Sequence, residues 1–183
     1  MELIRDGDDE PVAIRINGHE FACEEETYQT TIPKEYFLGI FDRGSFEADL
    51  AYALGRDQSV ALIMVDIDHF KQINDRLGHR VGDEVLRKVA KVLSDRCDGK
   101  RSVEYRYGGD ELAVILSGDD ALARAHEVAE VIRTDVGSLR FTADGLGVTV
   151  SLGVAEAGED RDKDSLVRRA DSGLYQAKQE GRN

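Results

Sequence analysis

The chain has 183 residues, 41% of them hydrophobic, and a formal net charge of −13. That length and apolar share suit one domain with a real core, and exclude global disorder. The acidity disfavours a nucleic-acid polymer or an anionic membrane as partner, since both call for basic patches.

The charge is uneven. Residues 1–35 hold ten acidic and three basic side chains, a net of −7, which leaves −6 for the other 148. Both prolines, Pro11 and Pro33, also fall there, so a boundary is expected near residue 34. The opening MELIRDGDDE is too acidic and polar for a signal peptide. No apolar run approaches the roughly 20 residues that span a bilayer. The two cysteines, Cys23 and Cys97, cannot build a disulfide framework. A cytoplasmic protein is expected.

Within this leader, Val12–Ile16 and His19–Cys23 flank Asn17-Gly18, a two-residue hairpin signal. The run Glu24 to Glu26 reads as a solvated linker. From Glu35 to Leu54, Phe37, Ile40, Phe41, Phe46, Leu50 and Leu54 recur at helical spacing, with a turn at Asp42 to Gly44. Val60–Val65 is a continuous apolar run, as in a strand covered on both faces. Two helices follow, Phe70–Leu77 and Val81–Leu93, broken at Gly78. Val103–Tyr107 and Leu112–Leu116 form a hairpin around Gly108-Gly109-Asp110-Glu111. Ala121–Ile132 is helical, Leu139–Thr142 and Val148–Val154 are strands, and Leu166–Ala177 is the last helix. The pattern predicts an α/β (α+β) layer domain, one sheet with helices packed on it.

The chemistry concentrates at strand ends. Asp66 and Asp68 follow the apolar strand, and two residues apart they share a face. Asp110 and Glu111 sit at the hairpin turn, where Gly108 and Gly109 let the backbone approach a ligand. Each acid alone reads equally as a turn-former or cap. If the two strands are neighbours, Asp66, Asp110 and Glu111 converge, and hard oxygen donors without histidine suit Mg²⁺ or Mn²⁺. Lys71, Lys178 and Arg182 are cations suited to polyphosphate. The last two equally suit the C-terminal end of a helix.

Val65-Asp-Ile-Asp-His-Phe-Lys-Gln-Ile-Asn-Asp-Arg-Leu-Gly-His-Arg-Val-Gly-Asp83, Tyr105-Arg-Tyr-Gly-Gly-Asp-Glu-Leu112 and Ala170-Asp-Ser-Gly-Leu-Tyr-Gln-Ala-Lys-Gln-Glu-Gly-Arg-Asn183 together resemble the GGDEF domain of diguanylate cyclases. The resemblance covers about residues 35–183. It implies a mostly antiparallel central sheet flanked by helices, similar to the nucleotidyl cyclase and polymerase palm. It also implies condensation of two GTP into cyclic di-GMP by a homodimer, each subunit holding one GTP. Two Mg²⁺ or Mn²⁺ ions per site would be held by Asp66, the Ile67 carbonyl and Glu111. Asp110 takes a metal-site or base role. Asn74 and Asp83 would read the guanine edge. His69, Phe70 and Lys71, with Lys178 and Arg182, would line the phosphates, Lys71 counting among the catalytic groups.

The sequence departs from the family pattern in three places. The signature ends in Leu112 rather than Phe, an apolar exchange. The opening motif survives only as Glu35-Tyr-Phe-Leu-Gly-Ile-Phe-Asp-Arg43, with Leu38 where threonine is expected. Gly99 and Ser102 stand where the family's inhibitory product site has Arg-x-x-Asp, so no product inhibition through that site is expected. Arg101 and Glu104 have the same spacing, two residues off. The competing reading is a catalytically silent GGDEF-type module that binds GTP or a protein, but such modules lose the signature acids. A cyclase making another dinucleotide would show a change at Asp83, and none is present.

Overall fold

The computed structural model describes residues 2–5, 11–16, 19–22, 34–35, 37–56, 59–99, 101–141 and 145–183, the first four segments as backbone only. Two sheets form. The small one joins β1 (Glu2–Arg5), β2 (Pro11–Ile16) and β3 (His19–Ala22) in antiparallel order. Ile16 pairs with His19 across a two-residue connection, which is the hairpin register expected from the leader. The Asn17-Gly18 turn, Cys23 and the run Glu24 to Glu26 lie outside the described residues.

The main sheet has six strands: β4 (Lys34–Glu35), β5 (Ile40–Phe41), β6 (Val60–Ile67), β7 (Ser102–Gly108), β8 (Glu111–Ser117) and β9 (Val150–Glu156). Their spatial order is β4-β5-β7-β8-β6-β9, and every contact is antiparallel except β5 with β7. The helices are α1 (Arg43–Arg56), α2 (Phe70–Leu77), α3 (His79–Arg96), α4 (Ala121–Ser138) and α5 (Lys163–Gln179). The expected architecture, a mostly antiparallel sheet flanked by helices, is the one found.

β6 is paired on both sides and covered on both faces, which is why its sequence is a continuous apolar run. Alternation sorts its side chains. Ala61, Ile63, Val65 and Ile67 pack with α3 and α4, against Val85, Val89, Leu93, Ala125 and Ile132. Val60, Leu62 and Met64 pack with α1 and α5, against Phe46, Leu50, Leu166, Ala170 and Leu174.

Two segments differ from the sequence reading. The helical spacing from Glu35, interrupted by a turn at Asp42 to Gly44, predicts no strand here, yet Ile40 and Phe41 join the sheet, with Phe41 opposite Tyr105. Gly39 takes φ 73° just before them. Asp42 is a cap and not a turn: its carboxylate accepts from the Ser45 amide at 2.8 Å and the Ser45 hydroxyl at 3.0 Å, which starts α1 at Arg43. The strand expected over Leu139–Thr142 is also not formed. α4 runs on to Ser138, and only an isolated bridge joins Phe141 to Leu146, Thr142 lying outside the described residues.

Candidate active site

Strand periodicity delivers the acids. The face of β6 that buries Leu62 and Met64 continues to Asp66, and the face of β8 that buries Ala113 and Ile115 begins at Glu111. Asp66 and Glu111 are direct partners in the β6–β8 register, and Ser151 of β9 is opposite Asp66 on the other side. Directly paired residues project to the same face. The apolar cover of α5 ends here, and its last turn brings Lys178 Nζ within 2.8 Å of Asp66 Oδ2.

The electrostatics follow from this crowding. Burial pushes the Asp66 carboxyl above the usual aspartate range, against the hydrogen bond and charge of Lys178, while Asp110 and Asp68 push the same way as burial. Burial also raises Glu111, with Asp66, Asp171 and Asp110 adding to the rise and Lys178 opposing it. Carboxylates that raise one another's pKa in a partly dry site favour a bound cation. The Lys178 ammonium already plays that part for Asp66. Among the described residues no three His, Cys, Asp or Glu side chains close into a group able to hold a metal by themselves. The donor chemistry, hard oxygens around a resident cation, nevertheless fits Mg²⁺ or Mn²⁺.

The sequence sets Asp68 on the same face as Asp66, and the structure gives it a separate role. It is 4% exposed and accepts from the Thr149 hydroxyl at 2.6 Å and the Ser151 hydroxyl at 2.7 Å, and its amide donates to the Thr149 carbonyl at 3.0 Å. Arg182 Nε stands 3.9 Å from it. Arg182 does not ride on α5 beside Lys178. It lies past the helix with φ 68°, its amide donating to the Ala177 carbonyl at 2.9 Å. Asp171, seven residues before Lys178 on α5, is a further acid that sequence reasoning missed, although its spacing shares Lys178's face.

The remaining candidates flank this centre. His69 takes the left-handed φ of 59° and starts α2, a backbone state rare outside glycine. It and Lys71 are exposed, and Phe70 is half-buried against the core. No ion pair ties Lys71 to a described residue. Gly109 has φ 48° in the β7–β8 turn, where Arg106 clamps its carbonyl with Nε at 3.2 Å and Nη2 at 3.0 Å. Gly108 pairs with Glu111 after a register shift, and Asp110 is half-buried between them. Asn74 and Asp83, both half-buried, come from α2 and from α3. Ile67 is buried and paired with Val150. Gly99 and Ser102 belong to a tight turn: the Gly99 amide donates to the Ser102 carbonyl at 3.0 Å.

Residues 39–183 match the family described as "Diguanylate cyclase, GGDEF domain". The chain belongs to the GGDEF domain family. It is 41% identical over 151 residues to "Diguanylate cyclase VdcA" of Vibrio cholerae, covering 79% of this chain and 44% of that one. It is 47% identical over 137 residues to "Response regulator PleD" of Caulobacter vibrioides, covering 71% and 29%. The chain thus spans less than half the length of these curated relatives. Its fold superposes with TM-score 0.76 on the GGDEF domain of DgcB from Caulobacter crescentus solved in complex with c-di-GMP, at 32% identity over 82% of this chain and 92% of that one. The active GGEEF domain of a diguanylate cyclase from Vibrio cholerae gives 0.71 at 32% identity, covering 77% and 94%. The GGDEF family reading made from the three motifs is the correct one. Among the described residues no helix is long and apolar enough to cross a membrane.

Proposed function

We propose that this GGDEF domain is an active diguanylate cyclase, joining two GTP into cyclic di-GMP with release of two pyrophosphates. The observation that carries this reading is the Asp66–Glu111 cross-strand pair, with Asp110 in the adjoining turn and Lys178 above it. Asp66, Glu111 and the Ile67 carbonyl hold the divalent ions, and Asp110 serves as a further ligand or as the base. The ions supply Lewis-acid charge that favours the 3′-alkoxide and the leaving pyrophosphate.

The protein's own part is positioning. Asp83 and Asn74 take the guanine edge, where a carboxylate accepts from N1–H and N2–H₂, donors that adenine does not offer. His69, Phe70 and Lys71, at the start of α2, line the phosphates, where the helix N-terminus favours anions. Gly108 and Gly109 allow the turn to lie close to the nucleotide. Lys178 leaves Asp66 for the phosphates, and Arg182, steadied by Asp68, joins it. Each subunit holds one GTP, so the two 3′–5′ bonds form between half-sites of a homodimer.

We further infer that residues 35–183 are the catalytic unit and residues 1–34 an appendage to it, in a cytoplasmic protein. The small sheet of β1–β3 shares no strand with the main sheet, which supports this division, and the main sheet begins at the boundary itself, with Lys34 paired to Phe41. Product inhibition through the family's primary site is absent. Arg101 is exposed whereas Glu104 is buried beside Cys97, which argues against the displaced pair rebuilding that site.

Incubation of the purified chain with GTP and Mg²⁺, product identification by mass spectrometry and a parallel ATP reaction test this reading. Cyclic di-GMP from GTP and no cyclic product from ATP is the expected result. GTP that binds and stays intact across a range of protein concentration would instead support the silent module.

A further inference from the structure

Gly82 is buried one turn into α3, although glycine is the poorest helix former after proline. Its φ is not left-handed, so backbone conformation does not demand it. What demands it is Asn74. A Cβ at 82 would overlap Asn74 Oδ1 and stand 2.9 Å from Cγ and 3.4 Å from Nδ2, and these three atoms are its nearest neighbours. The side-chain amide of α2 therefore rests directly on the α-carbon of α3. Asp83 is the next residue. Among the described residues, neither the Asn74 amide nor the Asp83 carboxylate has a hydrogen-bond partner in the chain, so both groups stay available to a ligand.

We infer that Gly82 is a positioning residue for nucleotide specificity: by lacking a side chain, it seats the Asn74 amide beside Asp83 and so fixes the pair that meets the guanine edge. This rests on the proposed reading that Asn74 and Asp83 bind the base. With a methyl at 82 the amide must swing to another rotamer, since the overlapping atom ends a flexible side chain and the main chain has no reason to move. The helix itself gains from the exchange, because alanine favours it over glycine. Stability and nucleotide affinity should therefore move in opposite directions, which a merely structural glycine would not produce.

The test uses the full chain and four proteins: wild type, Gly82→Ala, Asn74→Ala and the double variant. Calorimetry with a non-reactive GTP analogue gives affinity, steady-state kinetics separate KM from kcat, and thermal melts report folding. Gly82→Ala is expected to melt no lower than wild type and to weaken the analogue about three- to tenfold, the scale of one lost hydrogen bond. KM rises with it, while kcat at saturating GTP changes less than about twofold, since the reacting atoms are untouched. In the Asn74→Ala background the same exchange should add nothing. Wild-type affinity in Gly82→Ala, or an equal loss in both backgrounds, overturns the inference while leaving the base assignment standing. If Asn74→Ala itself binds the analogue as wild type does, the base assignment fails and this inference falls with it.

Discussion

The two ends of the candidate site are made by opposite means. At the β6–β8 end, charge is piled up: burial and neighbouring carboxylates raise the cost of ionising Asp66 and Glu111, with Lys178 set among them. At the α2–α3 corner, matter is taken away: Gly82 leaves room for an amide that makes no hydrogen bond among the described residues. The first end stores electrostatic tension that a divalent cation would relieve. The second stores none and acts through shape alone. Substitutions at the acidic end should therefore change turnover and pH dependence, and those at the corner should change affinity and little else.

The largest effect is expected from Glu111→Gln, which keeps the shape and removes a charge. Turnover of GTP should fall by about 10²–10³-fold or more, the scale of losing one preorganised electrostatic contact. Cyclic di-GMP formed near the wild-type rate would remove Glu111 from the metal set. Next comes Gly153→Ala. A Cβ at 153 would overlap the Ala170 carbonyl and the Leu174 nitrogen, both backbone atoms of α5. Overpacking of this kind costs about 1–3 kcal/mol, read as a lower midpoint in denaturant, and lifts Lys178 off Asp66.

Lys178→Met should separate the two services of that ammonium. GTP binding should weaken about tenfold for one lost charge-assisted contact, while Mn²⁺ binding without nucleotide, followed by electron spin resonance, should tighten. Unchanged Mn²⁺ affinity would mean that ion and ammonium do not compete for Asp66.

The smallest effect is on stability in metal-free buffer. The native Glu111 carboxyl holds its proton more tightly than the unfolded one. Its contribution to stability thus falls as pH rises from the ordinary glutamate range through its raised native value. Glu111→Gln escapes that loss, so it should melt above wild type at pH 7 and lose the advantage below about pH 4, where both states of the wild type are protonated. An advantage that persisted at low pH would point to packing instead.

Much of the acidic end was legible in the sequence because charge next to an apolar strand is conspicuous. The run Val60–Val65 marked β6, and the two glycines marked the β7–β8 turn. The corner was less legible, since Gly82 looks like any glycine until α2 is laid beside α3. Asp68 was hidden by distance: its hydroxyl partners Thr149 and Ser151 lie 81 and 83 residues along the chain and meet it only through the β6–β9 register. The start of α1 was misread for a related reason. Ile40 and Phe41 have helical spacing, but an open place beside β7 drew them into the sheet. Local pattern gave way to tertiary pairing.

The contact of α5 with β9 has a consequence in helical phase. A Cβ on Gly173 would stand 3.4 Å from the Gly153 α-carbon and one on Gly153 would overlap the α5 main chain, so the helix is seated here by backbone and not by a side chain that could be retuned. Lys178 follows Gly173 by five residues, and those residues fix the direction in which its ammonium arrives. One residue inserted between Leu174 and Lys178 would turn Lys178 by about 100°, away from Asp66, with the core residues Leu166, Ala170 and Leu174 left in place. The spacing between a glycine and a lysine thus works as a key cut to one angle.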